Sequence, residues 1–261
     1  MLKKIVNLSL IGSCVLSASS LANTQSDNEI DVLLLYTDNA VKYYKDSDDV
    51  GSASSLDDYI DHLFAHTNRV YRTQGVDAVL NKKKVSKWNT NLRPKDADLD
   101  TLSESKAVAK LRKDNKADLV VLLGDYHPVS KTSITCGIAW LGESTDAVPR
   151  DWGFSIVAAD CAANTFAHEI GHNMGLTHSF KQGSKKGGHK VYGKGHGKDD
   201  SFTTIMAYPQ AFGSATRLSV FSDPDISTCD GHKCGVSGTG ERSADAVRAL
   251  NHVVADVAEY F

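Results

Sequence analysis

His168-Glu169-Ile170-Gly171-His172-Asn173-Met174-Gly175-Leu176-Thr177-His178 reads H-E-x-x-H-x-x-G-x-x-H. On a helix, residues four apart share one face, so His168 and His172 are expected to aim their imidazoles at one point. Such a pair suits a zinc ion, and Glu169 stands where it can take a proton from water on that ion. Gly175 governs how the stretch ends. An unbroken helix would carry His178 past the metal, whereas glycine admits a positive φ and a sharp turn. The turn brings His178 back as a third nitrogen ligand. Three protein ligands with one position open to water is the pattern of a catalytic rather than a structural zinc. A bare H-E-x-x-H is weak evidence, but the longer form fixes five positions.

The rest of the chain sets the context. Its 261 residues, 41% of them hydrophobic, suit one domain or two subdomains sharing a cleft. With a net charge of -3 and no sustained basic segment, it lacks the character of a nucleic-acid binder. Beyond the N-terminus no apolar run reaches transmembrane length. Lys3 and Lys4, the apolar residues 5–16 and Ser20-Leu21-Ala22 form the three parts of a signal peptide over residues 1–22, which predicts a secreted or periplasmic protein. A competing reading takes Ile11-Gly12-Ser13-Cys14 as a lipobox, with Cys14 lipidated and held at a membrane. The early position of Cys14, with apolar residues continuing after it, favours cleavage.

Export gives the remaining cysteines meaning. Cys136, Cys161, Cys229 and Cys234 are an even set in an oxidising compartment, which argues for two disulfides with three connectivities. Cys229 and Cys234 bracket a short Asp-Gly-His-Lys loop and are expected to pair, leaving Cys136 with Cys161. Free buried thiols are the other reading.

Hydrophobic periodicity orders the elements. Residues 23–29 are polar and read as a flexible segment, and Glu29–Tyr36 (E-I-D-V-L-L-L-Y) is the first strand. Its early start leaves no room for a folded pro-domain, so an export product active without further processing is expected. Residues 38–55 read as a loop with a helical turn near Ala40, 56–71 as an amphipathic helix, 76–85 as a strand and 99–113 as a second helix. The run 118–124 (D-L-V-V-L-L-G) is a strand buried on both faces, followed by strands at 137–141 and 154–159. If the last two pair antiparallel, Cys136 and Cys161 fall at adjoining ends. Asn164 or Thr165 is the expected cap of the H-E-x-x-H helix. Residues 181–198 carry six lysines and no acid among many glycines; this segment reads as a loop, with His189 and His196 as solvated histidines rather than a second metal site. Val247, Leu250, Val254 and Val257 predict one closing helix over 243–260.

The H-E-x-x-H-x-x-G-x-x-H signature resembles that of the metzincin zinc peptidases. The resemblance implies an α/β (α+β) catalytic domain: a mixed, twisted five-stranded sheet with two long helices above a cleft, and a small irregular C-terminal subdomain ending in a helix. On this plan residues 30–178 form the N-terminal catalytic subdomain and 179–261 the C-terminal one. Thr204-Ile205-Met206-Ala207-Tyr208 looks like the family's Met-turn, which puts Met206 beneath the three imidazoles. Tyr208 resembles the Met-x-Tyr tyrosine of astacin- and serralysin-like members, whose phenol ligates zinc or stabilises the oxyanion. Ser179 does not match the acidic residue that follows the third histidine in the adamalysin or astacin groups. Asn173, the D-V-L-L-L-Y start, C-G-I-A, H-E-I-G-H-N-M-G and F-S-D-P together look most like bacterial reprolysin-like peptidases, the peptidyl-aspartate metalloendopeptidases above all.

That likeness implies one catalytic Zn2+, with Glu169 as general base. It makes the strand at 137–141 the edge onto which a substrate adds, with residues 219–224 lining the specificity pocket. It also implies cleavage before aspartate, for which Arg217 is the candidate partner, with the lysines of 181–198 adding a positive field. The expected partners are protein or peptide substrates met by a monomer, with no nucleic acid and no stable membrane association unless Cys14 is lipidated. Two other classes stay open. One is a metal-binding, toxin-like protein of the same fold that engages a host partner; the other is a different zinc hydrolase.

Overall fold

Long apolar strands set the centre of the molecule. The computed structural model describes residues 28–46, 55–130, 133–142 and 148–261. The expected leader over 1–22, including Cys14, and nearly all of the segment 23–29 lie outside these residues. Strands β1 (Glu29–Tyr36), β2 (Val79–Lys87) and β3 (Leu119–Gly124) come first, then a small hairpin of β4 (His127–Pro128) and β5 (Ile134–Thr135). β6 (Gly137–Ala139) and β7 (Phe154–Ala158) follow.

The main sheet is ordered β2-β1-β3-β7-β6; its first four strands are parallel and β6 runs antiparallel to β7. β3 and β7 are buried throughout, which explains why they read as unbroken apolar runs rather than as alternating patterns. The two edges differ. β2 presents Lys82, Lys83, Lys84 and Lys87, of which Lys83 pairs with Asp31 at 2.6 Å and Lys87 with Asp38 at 2.6 Å. Charge on an edge discourages further strand pairing. β6 carries Gly-Ile-Ala and no charge.

Helices cover the sheet. α1 (Asp38–Asp46) extends well beyond the expected turn. α2 (Leu56–Gln74) starts at Ser55, whose hydroxyl accepts from the Asp58 amide, and stops at Gly75 with φ of 69°. Its apolar face buries Ile60, Leu63, Phe64, Val70 and Tyr71. The single helix expected over 99–113 is two, α3 (Asp96–Ser103) and α4 (Lys106–Asp114). Ser105 divides them, because its Oγ caps the second by accepting from the Val108 amide at 3.4 Å.

α5 (Asn164–Asn173) carries the H-E-x-x-H residues. Neither Asn164 nor Thr165 is its cap: Ala163 holds that position, and Asn164 Oδ1 instead accepts from His66 Nε2 of α2 at 2.8 Å.

Beyond α5, β8 (Gly197–Lys198), β9 (Phe202–Thr203) and β10 (Thr216–Arg217) form a small sheet ordered β10-β9-β8. The closing helix is also two, α6 (Ala246–Asn251) and α7 (Val254–Ala258). The first ends where Asn251 turns its side chain away, accepting from the Asp77 amide at 2.8 Å and donating to the Gly75 carbonyl at 3.0 Å. Met206, Phe221, Leu250 and Val254 belong to the same apolar cluster as Ile30, Leu34, Leu63 and Phe166. Residues before and after His178 therefore share one core. Cys136–Cys161 joins the start of β6 to the turn after β7, and Cys229–Cys234 closes the short loop. Among the described residues no helix is long and apolar enough to cross a membrane.

The lysine-rich segment is mostly the loop expected of it, with Lys181, Lys185 and Lys186 exposed, but Lys194 and His196 are not fully solvated. Lys194 is wholly buried, and its Nζ donates to the carbonyls of Lys185 (2.9 Å) and Glu241. His196 stacks edge-on against Phe202 at 5.8 Å and is partly buried. Lys194→Met should leave two part-buried carbonyls without their ammonium donor. The expected cost is about 2–4 kcal/mol, seen by calorimetry as a fall of roughly 5–15 °C in Tm. An unchanged Tm would mean that this lysine does not hold the loop.

Candidate metal centre

The spacing on α5 does what helical geometry requires. His168 and His172 point the same way, and their Nε2 atoms lie 3.1 Å apart. The backbone then turns at Gly175, where φ is +81°. A Cβ there would fall 2.6 Å from the Cβ of His189, so the site demands glycine by conformation and by space. After the turn, His178 Nε2 stands 3.2 Å from that of His168 and 3.1 Å from that of His172.

Hydrogen bonds fix two of the tautomers. His168 Nδ1 donates to the Ile205 carbonyl at 2.7 Å and His172 Nδ1 to the Leu176 carbonyl at 2.8 Å. Both Nε2 atoms therefore present lone pairs. Lone pairs converging at this distance repel unless a cation lies among them. A tetrahedral zinc with Zn–N near 2.0–2.1 Å sets its nitrogens about 3.3–3.4 Å apart, close to the spacing here. The donor set fits such an ion, and among the described residues it is the one group of three or more potential ligands. Burial holds all three imidazoles in the neutral form that binds metal. It drives His168 well below its usual value, His172 to about 4 and His178 to about 3.

Glu169 is buried under the sheet edge. A Cβ on Gly137 of β6 would come 2.2 Å from its Oε1, so the carboxylate occupies the space this glycine leaves. Burial raises its pKa to about 8, against a smaller opposing effect from Arg217. Beneath the helix, buried Met206 lies against Gly171, where a Cβ would meet its Sδ at 2.8 Å. The Tyr208 ring lies 4.4 Å from that of His178 and stacks on His168 at 5.6 Å, and burial raises its phenol to about 12.

Arg217, on β10, places its guanidinium carbon 5.7 Å from the Tyr208 ring centre. Its Nε is buried without a hydrogen-bond partner among the described residues, and burial lowers its pKa. Sequence reasoning brought these residues to one site but missed their supports. Asn173 Nδ2 is shared among the carbonyls of Trp140 (2.9 Å), Trp152 (2.8 Å) and Phe154 (2.9 Å), which fastens the end of α5 to the edge of the sheet. A polar residue on the buried face, next to a ligand, was the available signal. Gly137 carried none, because its role depends on a side chain that is distant in sequence.

The family model Reprolysin_5, metallo-peptidase family M12, matches residues 26–222. The chain belongs to metallo-peptidase family M12. This M12 member is 31% identical over 272 residues to the peptidyl-Asp metalloendopeptidase of Pseudomonas aeruginosa, an alignment covering 97% of the chain and 43% of that protein. It thus spans less than half the length of that relative. A solved structure described as a chaperone–substrate complex superposes with a TM-score of 0.67 over 90% of the M12 chain and 39% of its own, at 19% identity. That likeness concerns the fold alone. The mixed five-stranded sheet agrees with the expected architecture.

Proposed function

We propose that this M12 member is a secreted zinc endopeptidase that uses Glu169 as general base and prefers aspartate after the scissile bond. The observation that carries the reading is the meeting of three imidazole nitrogens, spaced 3.1–3.2 Å apart, with a buried carboxylate against the uncharged edge of the sheet. A zinc ion in that triangle would bring the pKa of its water to about 7 and polarise a carbonyl. Glu169, whose carboxyl the charge of such an ion would return to the ionised form, takes the proton of the attacking water and passes it to the leaving amine. Tyr208, whose phenol keeps its proton at neutral pH, donates to the developing oxyanion.

β6 offers the docking edge. Its bonds to β7 run through the Cys136 carbonyl (2.7 Å) and the Trp140 amide (3.1 Å). By antiparallel alternation this phase turns Ile138 towards β7 and leaves the backbone groups of Gly137 and Ala139 facing outwards. An extended peptide adding there passes directly over Glu169.

Arg217 supports the aspartate preference. A half-buried guanidinium whose Nε has no hydrogen-bond partner among the described residues favours a ligand that brings a carboxylate. Loop 181–198 adds less field than its composition implies, since Lys194 is buried and Lys181 pairs with Asp199. Arg217→Ala should reduce cleavage before Asp about a hundredfold or more relative to cleavage before Leu. A peptide library read by mass spectrometry checks this. A profile dominated by large apolar residues and unmoved by the substitution would overturn the preference, leaving the peptidase assignment intact.

A further inference from the structure

One side chain bridges the loop of the third imidazole and the turn that carries Tyr208. Gln182 lies four residues beyond His178, in a single 3-10 turn over Phe180–Gln182 that Gly183 ends with φ of +93°. Its Oε1 accepts from the Ser179 hydroxyl at 2.7 Å, the Ser179 amide at 3.4 Å and the Tyr208 amide at 3.1 Å. Two of these donors are backbone N–H groups, so the atom facing them must be the amide oxygen. Ser179 is buried and follows the third imidazole directly. Tyr208 stands two residues past Met206; the residue is 41% exposed, and its ring rests on His178.

The two anchors of Tyr208 differ in kind. Its carbonyl accepts from the Ala211 amide within its own turn, at 3.0 Å. Its amide reaches Gln182 across 26 residues of sequence. His168 and His172, by contrast, are held by the carbonyls of Ile205 and Leu176, which owe nothing to Gln182. Loss of Gln182 Oε1 would therefore release the Tyr208 backbone while leaving those two imidazoles in place.

We propose that Gln182 is a positioning residue that locks Tyr208 over the third imidazole, so that the phenol meets the reacting carbonyl in one fixed place. This rests on the peptidase reading, but its structural part can be measured without turnover. Gln182→Leu keeps the bulk and removes the acceptor; Gln182→Glu keeps an acceptor oxygen in the same position. With the zinc-loaded full chain, amide hydrogen exchange at Tyr208 should be at least about tenfold faster in the Leu variant and near wild type in the Glu variant, with α5 amides unchanged. In peptide cleavage, kcat of the Leu variant should fall about ten- to a hundredfold, while KM and zinc content hold. The same substitution made on Tyr208→Phe should have little further effect.

Unchanged Tyr208 exchange in Gln182→Leu overturns the lock. Faster exchange with an undiminished kcat, or an equal loss of kcat with and without the phenol, overturns its role in turnover. Absence of peptidase activity in the wild type would refute the functional reading instead, and the exchange result would still decide the lock.

Discussion

Glu169→Gln is expected to lower kcat by about two to four orders of magnitude while the protein still binds one equivalent of zinc. Glutamine has nearly the same shape, so it should fill the slot against Gly137 that Glu169 occupies. Its amide cannot accept the proton of the attacking water, so the defect falls on the chemical step and not on folding or metal capture. Elemental analysis alongside kcat and KM separates these possibilities. Zinc lost together with activity would mean that Glu169 serves the site's structure.

His178→Ala should have an effect as large by a different route. It removes one of three nitrogens that converge within 3.2 Å. Disturbing a group that only orients a ligand typically costs ten- to a hundredfold in affinity, so loss of the ligand itself should weaken zinc binding by more than about a hundredfold. Activity should fall with occupancy and recover partly at high zinc. Thermal shift supplies an independent check, because a ligand that binds only the folded chain raises Tm with the logarithm of its concentration relative to Kd. Zinc should raise the Tm of the chelated wild type and leave that of His178→Ala nearly unmoved at micromolar concentrations. A variant as strongly stabilised by zinc as the wild type would remove His178 from the site.

The fold was legible where burial is two-sided or periodicity strict. Leu119–Gly124 and Phe154–Ala158 announce themselves as continuous apolar runs, and α2 by its regular apolar face. The site was legible because helical geometry and one glycine bring all three imidazoles together within eleven residues. What escaped depends on partners far along the chain or on a local competitor within a periodic run. Ser105 interrupts a pattern that remains periodic through it, since a hydroxyl cap outweighs helix continuation there. Asn251 ends α6 through bonds to Gly75 and Asp77, more than 170 residues away in sequence. Lys194 is buried because Glu241, 47 residues on, supplies a carbonyl to its ammonium group. Nothing local distinguishes it from the exposed lysines around it.

Zinc titration of the chelated protein tests the central claim most directly. Hydrolysis of an unstructured peptide containing Asp should rise in proportion to added zinc and reach its plateau at one equivalent. Chelated protein that cleaves the peptide at the full rate without metal, or that stays inert when one equivalent of zinc is bound, would contradict the account.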